Sequence, residues 1–279
     1  MFPKASFRVE IGANGEIMPS YCLIADLKTY LNITTSTDDA LLQLLLDAAT
    51  SRIDTFCGRT FQAASDTVRY FDPTRDLEDG MLRLDYDLSY ITSVVSSGTD
   101  ITTEIYHNPR NATPYYSLGI KSTGTASWAY SVPVEDSIVV TGRWAYMERA
   151  NITAISRSGA NVVTATVNAP RLSVGASVFV MGVADSTFNG TFTVVTNTGA
   201  ALTWAQTAAA DTDTTGVILF TPTDIVSACR RLAAFLYRQK DTQQGDTDRP
   251  ILAGDGSVIM PTTLPQDVSM LLRPYARRL

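Results

Sequence analysis

The chain has one histidine, His107, and it is the first candidate for acid–base chemistry. An imidazole titrates near neutral pH, so it could serve a nucleophile or bind a metal. A single histidine excludes histidine-rich metal centres and schemes that need two imidazoles. The surrounding residues 106–110 predict a turn between strands, and no nucleophile motif accompanies them. We therefore predict that His107 is not catalytic, and a hydrolase that uses it stays as an alternative.

Two pairs of adjacent carboxylates, Asp38 with Asp39 and Glu78 with Asp79, could suggest metal binding or acid–base work. Hard cations need several converging oxygens, which neither pair supplies alone. The first pair is interpreted as negative charge at the start of a helix. The second pair is interpreted as a solvated turn, so neither predicts a metal site.

Motifs for phosphate binding and nucleophilic catalysis are absent from the sequence, since it contains no GxxxxGK[ST], GxGxxG or GxSxG. Cys22, Cys57 and Cys229 form an odd set without a CxxC pair, which supports neither a disulfide framework nor a zinc site. We predict that they are small core residues. The expectation is a protein that is not an enzyme and has no cofactor.

The net charge of −6 is unevenly spread. Residues 1–150 hold 19 acidic and 12 basic side chains, whereas residues 221–279 hold 6 and 8. Affinity for a phosphate backbone depends on clustered Lys and Arg, so the acidic body disfavours nucleic-acid binding. Arg277 and Arg278 could contact phosphates, but favourable charge at a helix C-terminus is the preferred interpretation. No signal peptide and no membrane span is predicted.

The elements that position these residues begin with helices, because apolar residues recur at helical spacing in four segments. The predicted helices are residues 23–31, 40–57, 221–241 and 265–278. Their predicted apolar faces include Tyr30 in the first helix and Phe56 in the second. Gly58 stands where a left-handed residue ends a helix, and Pro274 must interrupt the last one.

Capping signals mark two helix starts. Thr37 is the predicted N-cap of the second helix. Thr221 with Asp224 resembles a capping box before the third. In the second helix Leu41 and Leu44 lie off the main apolar stripe, which predicts burial between elements or between subunits.

Strand patterns fill the middle of the chain. Alternation predicts an antiparallel sheet with strands at residues 67–71, 81–84, 91–95, 115–120 and 137–141. From residue 151 the composition shifts to Thr, Val, Ala and Gly with almost no charge, and strands are predicted at residues 162–167, 177–181, 190–195 and 215–220. The aromatic side chains expected to form the core of this part are Phe179, Phe188, Phe192 and Trp204.

The predicted fold class is α+β: a small helical bundle of about four helices, interrupted by an antiparallel β segment and an inserted small all-β sandwich or barrel. Residues 1–19 are an N-terminal arm. Residues 20–58 and 220–279 form a discontinuous helical core, residues 59–150 the β segment, and residues 151–219 the insert. A polar loop is predicted over residues 241–261.

This order of elements resembles the head–tail connector (adaptor) proteins of long-tailed bacteriophages. The resemblance is carried by residues 23–33, 38–42, 48–49, 53–54, 56–59, 139–146, 222–225, 228, 232–237, 264–268 and 272–275. It covers about 190 residues in two blocks, and the insert departs from the family pattern.

The resemblance implies a structural virion protein of the neck, assembled in the host cytoplasm. It implies a ring, commonly twelve-fold, between the portal protein and a tail-completion or tail protein, with DNA passing through the lumen. Docking to the portal is expected at the C-terminal end, with Leu272, Arg273, Tyr275, Arg277, Arg278 and Leu279. The oligomer interface is expected at Leu41, Leu44, Arg230 and Arg231. Removing residues 264–279 is expected to abolish portal attachment and leave the fold intact.

A second function remains open, a virion surface or carbohydrate-binding protein that uses the insert. Trp204 and the phenylalanines of the insert could stack on sugars, although in so small a domain such residues more often form the core. Solvent exposure of Trp204 discriminates between the two.

Overall fold

The computed structural model describes residues 20–167, 172–239, 251–252, 258–259 and 264–277. Within these ranges four α-helices accompany many antiparallel strands, which confirms the α+β class. The helices are α1 (Ile24–Leu31), α2 (Asp39–Cys57), α3 (Thr223–Gln239) and α4 (Gln266–Leu272). The N-terminal arm predicted for residues 1–19 lies outside the described residues.

Helix α2 follows from the spacing of its apolar residues. Its buried side chains recur every three or four positions and so share one face; they are Leu42, Leu46, Ala49, Ile53 and Cys57. Gly58 ends the helix with φ at 64°, and its N–H donates to the Asp54 carbonyl at 2.8 Å. The predicted glycine stop is confirmed. The N-cap is Asp38 instead of Thr37, and its side chain caps no helix amide.

Helix α3 starts differently from the prediction. The Pro222 carbonyl accepts from the N–H of Val226 at 3.1 Å, so the helical bonding begins at Pro222. The Thr221 hydroxyl donates to the Phe61 carbonyl at 3.3 Å. The predicted capping box at Thr221 and Asp224 is therefore wrong, because the residue directly before the helix is Pro222, one position after Thr221.

The last helix is shorter than predicted. Helix α4 ends at Leu272, and a 3₁₀ turn spans Arg273–Tyr275. Pro274 has no N–H with which to continue an α-helix, so the predicted interruption is confirmed. In the predicted 241–261 loop, β17 (Ile251–Leu252) pairs with β18 (Val258–Ile259). The rest of that loop lies outside the described residues.

The four helices share one buried core, which also holds the three cysteines. Cys22, Cys57 and Cys229 are buried and form no disulfide with one another, as predicted. Burial raises the pKa of the Cys22 thiol to about 12 and that of the Cys229 thiol to about 11, so both stay protonated at neutral pH. Tyr30 and Phe56, which were predicted on buried faces, are 43% and 38% exposed because they lie at the edges of their apolar stripes.

Two four-stranded antiparallel sheets form the β segment, in the orders β1-β8-β4-β5 and β2-β3-β7-β6. Their strands are β1 (Thr67–Phe71), β2 (Leu77–Glu78), β3 (Met81–Leu88), β4 (Tyr90–Ser96), β5 (Thr99–Asp100), β6 (Ile105–Asn108), β7 (Tyr115–Ile120) and β8 (Ile138–Arg143). Side chains from both sheets form one buried cluster, which includes Phe71, Leu82, Leu118 and Val140. The segment is thus two packed sheets, where one sheet was predicted.

Strand β6 contradicts the predicted turn at residues 106–110. His107 lies within β6 and is paired with Leu118 of β7. The Asn108–Pro109 dipeptide suggested a turn there, but the turn starts only after the strand is complete. The turn predicted at Glu78 and Asp79 is confirmed, since Asp79 and Gly80 both have positive φ between β2 and β3.

The insert contains a single curled eight-stranded sheet, in the order β12-β11-β16-β9-β10-β14-β13 with β15 paired to β9. Its strands are β9 (Glu148–Arg157), β10 (Val162–Val167), β11 (Ser177–Met181), β12 (Gly190–Thr193), β13 (Thr196–Asn197), β14 (Ala201–Ala205), β15 (Asp211–Asp213) and β16 (Val217–Phe220). The sheet curls until β12 contacts β14, and a buried cluster with Phe188 and Trp204 fills its interior.

The first and last strands of the insert lie side by side. Strand β9 starts at Glu148, and Glu148 is paired with Phe220 at the end of β16. The chain therefore leaves and re-enters the rest of the subunit at neighbouring positions. The insert also packs on the β segment, because Phe179 and Leu219 share a buried cluster with Ala145 and Met147.

Helices and sheets meet at four aromatic residues, which we name the junction cluster: Tyr21, Phe61, Tyr146 and Tyr275. The ring of Phe61 lies 5.8 Å from each of the other three. The Tyr21 hydroxyl accepts from the Phe61 N–H at 2.9 Å and donates to Asp54 Oδ1 at 2.6 Å. Segments distant in sequence are thereby joined at the end of α2.

Asp54 gives the fold a testable pH dependence. Burial raises the pKa of Asp54 from 3.8 to about 7, although the Tyr21 hydroxyl lowers it. The protonated acid favours the fold, so this contribution is fully present below about pH 4 and is lost as the pH rises through 7. We expect Asp54→Asn to gain stability relative to the natural chain as the pH rises over this window.

Urea unfolding from pH 4.5 to pH 8 measures this difference. The control variant is Asp47→Asn, which changes an exposed carboxylate of the same helix. If the free energy of unfolding depends on pH in the same way for the natural chain and for Asp54→Asn, the raised pKa assigned to Asp54 is wrong.

Candidate functional site

Helix α2 carries a second apolar face beside its buried one. Leu41 and Leu44 lie on this face with Ala48, at positions that recur every three or four residues. Leu44 is 64% exposed and Leu41 is half-buried. We name Leu41, Leu44 and Ala48 the exposed apolar stripe; Leu44 is its most exposed member, whereas Leu41 and Ala48 are half-buried.

The two arginines predicted at the oligomer interface have different surroundings. The Arg230 guanidinium lies 5.5 Å from the centre of the Tyr30 ring. Arg231 is exposed and forms an ion pair with Asp267 at 3.0 Å. Arg231 therefore joins α3 to α4 within the subunit, whereas Arg230 faces the surface around α1.

The predicted docking residues at the C-terminal end also differ in their surroundings: some are exposed, whereas others are buried or hydrogen-bonded within the subunit. Arg273 is exposed, whereas Leu272 is fully buried in the helical core and cannot reach a partner. Tyr275 belongs to the junction cluster, and its hydroxyl donates to Asp224 at 3.2 Å. The Arg277 N–H donates to the Cys57 carbonyl at 2.8 Å, and its guanidinium donates to the Asp85 carbonyl. Arg278 and Leu279 lie outside the described residues.

His107 has the surroundings of a structural residue. Its ring stacks on Tyr115 at 3.8 Å, and Nδ1 lies 2.9 Å from the Pro109 carbonyl oxygen. Desolvation lowers the pKa of His107, despite the opposing effect of the Pro109 carbonyl. The arrangement holds the ring between two strands.

The adjacent carboxylates Asp38 and Asp39 connect the start of α2 to two other helices. Asp39 forms an ion pair with Lys28 at 2.7 Å, which ties α2 to α1. Asp38 accepts from the Tyr237 hydroxyl of α3 at 2.5 Å. Among the described residues no group of three or more His, Cys, Asp or Glu side chains could hold a metal ion.

Trp204 decides against the sugar-stacking alternative for the insert. Its side chain is 1% exposed and stacks on Phe192 with ring centres 5.2 Å apart. Phe179 and Phe188 are also fully buried. Phe188 and Trp204 lie in the interior of the curled sheet and Phe179 packs against the β segment, so none of the three offers a face to a sugar.

A cleft of about 330 Å³ lies between the helices and the insert. Sequence spacing did not predict it, because its lining comes from α1, α3 and the segment before β11. Its charged lining residues are Asp26, Asp224 and Arg230, and hydroxyl-bearing side chains supply most of the rest. The cleft separates the two parts of the subunit that the sequence predicted as distinct.

Residues 22–96 match the family model described as phage gp6-like head-tail connector protein. The predicted resemblance to head–tail connectors is confirmed. This connector segment (residues 22–96) spans α1, α2 and strands β1 to β4, so it contains both apolar faces of α2. The match covers about a quarter of the chain, and the role that it suggests is taken up below as a proposal. A comparison with curated proteins gave no match.

None of the helices in the described part of the chain combines the length and the apolar character that a membrane-crossing helix requires.

Proposed function

We propose that the chain is a head–tail adaptor, a ring between the portal and the next tail-completion protein through which DNA passes. The observation that carries the proposal is the connector match over residues 22–96. A twelve-fold ring in the virion neck is the expected assembly. A ring needs a heterologous contact that closes, in which two different patches of each subunit meet.

The exposed apolar stripe on α2 supports self-association. Leu44, at 64% exposure, leaves apolar area in water that a neighbouring subunit would remove, and burial of such area contributes roughly 25 cal/mol per Å². Arg230 at the edge of the helical module is part of the proposed interface. Arg231 contributes indirectly, because its ion pair with Asp267 holds α4 on α3.

Portal docking is proposed at the C-terminal end of the described chain. Arg273 is exposed there, and Arg277 is held in place by hydrogen bonds to Cys57 and Asp85. Leu272 is left out of the docking surface because it is buried in the subunit. Arg278 and Leu279 stay in the proposal from the sequence alone.

The charge of the chain is compatible with a DNA channel. Residues 1–150 carry the acidic excess, and an acidic wall repels phosphates and lets the genome slide. The insert, residues 151–219, is proposed to face the outside of the ring as a separate module. The neighbouring positions of Glu148 and Phe220 support an insertion into a pre-existing connector core.

Leu44→Lys is expected to weaken self-association by at least about tenfold, since it would bury an ammonium group against apolar surface. The exposed position predicts little change in folding stability. Sedimentation velocity with and without the portal measures the assembly, and circular dichroism checks the fold.

Gln43→Lys is the matched control, because it adds the same charge to an exposed position on another face of α2. Assembly of Leu44→Lys at the affinity of the natural chain would contradict the role of the stripe. A natural chain that stays monomeric even with the portal would contradict the adaptor function itself.

A further inference from the structure

The loop between β7 and β8, residues 121–137, presents an exposed tip on a fixed base. Val132 is 96% exposed and Tyr130 is 61% exposed. Glu135 and Asp136 follow within a 3₁₀ turn and are also exposed. Among the described residues no cation lies within ion-pair distance of either carboxylate. We name these four residues the loop tip.

The base of this loop is held by hydrogen bonds from three neighbouring segments. The Ala126 N–H donates to Glu104 at 2.7 Å, and the Trp128 indole donates to the Gly80 carbonyl at 3.0 Å. The Ala129 N–H donates to the Ser96 hydroxyl at 2.9 Å. Because the base is ordered before any partner arrives, binding at the tip costs little conformational entropy.

A complementary surface lies on the helices. Arg230 and Arg238 of α3 lie 5.5 Å and 5.9 Å from the centre of the Tyr30 ring of α1. Tyr30 is 43% exposed. We name these three residues the arginine–tyrosine face.

The two arginines differ in their partners from seven of the other twelve arginines in the described part of the chain. No carboxylate of the described residues forms an ion pair with Arg230 or Arg238, although Asp26 lines the same cleft as Arg230. The Nε atom of Arg230 is buried and has no hydrogen-bond partner within the described chain. In contrast, seven other arginines are paired with carboxylates; they are Arg59, Arg69, Arg75, Arg83, Arg143, Arg157 and Arg231.

We propose that the loop tip of one subunit docks on the arginine–tyrosine face of the next copy of this chain. This inference rests on the proposed ring and names its contact. Glu135 and Asp136 would pair with Arg230 and Arg238, while Val132 and Tyr130 would pack against Tyr30. The occupant is a second copy because the same chain supplies both the unpaired carboxylates and the unpaired guanidiniums.

The contact is assigned to neighbouring subunits because, among the described residues, no ion pair joins the loop tip to the arginine–tyrosine face within one subunit. Two different patches on one chain are what a closing heterologous ring requires.

Duplex DNA is the competing partner for the arginine–tyrosine face, and the charge of the chain disfavours it. DNA binding draws its affinity from many neutralised phosphates, and this face offers two guanidiniums on a chain of net charge −6. The loop tip, with two carboxylates and two exposed apolar side chains, complements both the guanidiniums and the tyrosine ring of this face, which DNA phosphates alone do not.

A charge-exchange experiment on the full chain tests the contact. The first variant, Glu135→Arg with Asp136→Arg, has a cationic tip and a cationic face. The second variant, Arg230→Glu with Arg238→Glu, has an anionic tip and an anionic face. We expect each variant alone to self-associate on the order of tenfold more weakly or worse, because like charges then meet at the contact.

Mixing the two variants is the decisive measurement. Every contact in an alternating ring then pairs opposite charges again, so sedimentation velocity should show assembly within about threefold of the natural affinity. Arg83→Glu with Glu78→Arg, an exchange at an exposed ion pair within one sheet, is the control and should assemble normally. Thermal melting of each variant checks the fold.

Three outcomes would overturn the contact. If either reversed variant assembles at the affinity of the natural chain, the proposed contact is wrong, whereas the proposed ring is not contradicted. Loss of DNA binding by the second variant with normal assembly would assign the face to phosphates. A natural chain that stays monomeric at every concentration and with the portal would remove both the ring and the contact.

Discussion

Replacing Asp87 with alanine is expected to lower the free energy of unfolding by about 3–5 kcal/mol, because it leaves the Arg59 charge buried without its partner. The Asp87 side chain is 0% exposed and that of Arg59 is 9% exposed. Their closest nitrogen and oxygen atoms are 3.5 Å apart. Arg59 also lies 5.0 Å from the Tyr146 ring, so the pair sits beside the junction cluster.

The cost of burying the Asp87 carboxylate is only partly compensated, and this allows a second comparison. Neither of its oxygens accepts a hydrogen bond from the described residues, and burial raises the pKa of Asp87 against the opposing charge of Arg59. A pair held by attraction alone contributes little net stability compared with apolar residues. The double variant Arg59→Met with Asp87→Val should therefore lose less stability than Asp87→Ala does.

Glu78→Ala is the matched control in the neighbouring strand. Its partner Arg83 is closer, at 2.8 Å, but the two side chains are 64% and 55% exposed. Exposed pairs contribute about 0–1 kcal/mol, so this change should be small. Chemical unfolding of the three variants measures the differences. Equal losses for Asp87→Ala and Glu78→Ala would show that burial does not decide the outcome.

Local signals made much of the fold predictable. The buried face of α2 and its stop at Gly58 depend on residues a few positions apart, which spacing records directly. The strands of the β segment were found where alternation is strong. Strand β14 was missed although its buried positions, Leu202 and Trp204, alternate with more exposed ones, and β6 was missed because Pro109 suggested an earlier turn.

Contacts between distant segments were not predictable from spacing. The junction cluster joins Tyr21, Phe61, Tyr146 and Tyr275, and no periodicity relates these positions. The arginine–tyrosine face combines α1 with α3 in the same way. The exposed apolar face of α2 was predictable in part, because Leu41 and Leu44 lie visibly off the main stripe. The partner that we propose for this face is another subunit, which the spacing of residues within one chain does not reveal.

Removing residues 264–279 is expected to unfold the helical core, contrary to the expectation from sequence that the fold survives. Val268 and Leu272 of α4 are both 0% exposed in that core. Deleting a buried aliphatic side chain costs about 2–5 kcal/mol, and the total stability of a domain is only about 5–15 kcal/mol. The truncation also removes Tyr275 from the junction cluster and the Arg277 hydrogen bond to Cys57.

Circular dichroism and urea unfolding measure this loss, and a cooperative transition within about 1 kcal/mol of the natural chain would contradict it. Because the truncation would abolish portal attachment whether or not the segment docks, it cannot test docking. Arg273→Glu can, since the side chain is exposed and such changes usually alter stability by no more than about 0.5 kcal/mol. A variant that keeps its melting temperature and loses the portal would separate attachment from folding, whereas one that keeps both would remove Arg273 from the docking surface.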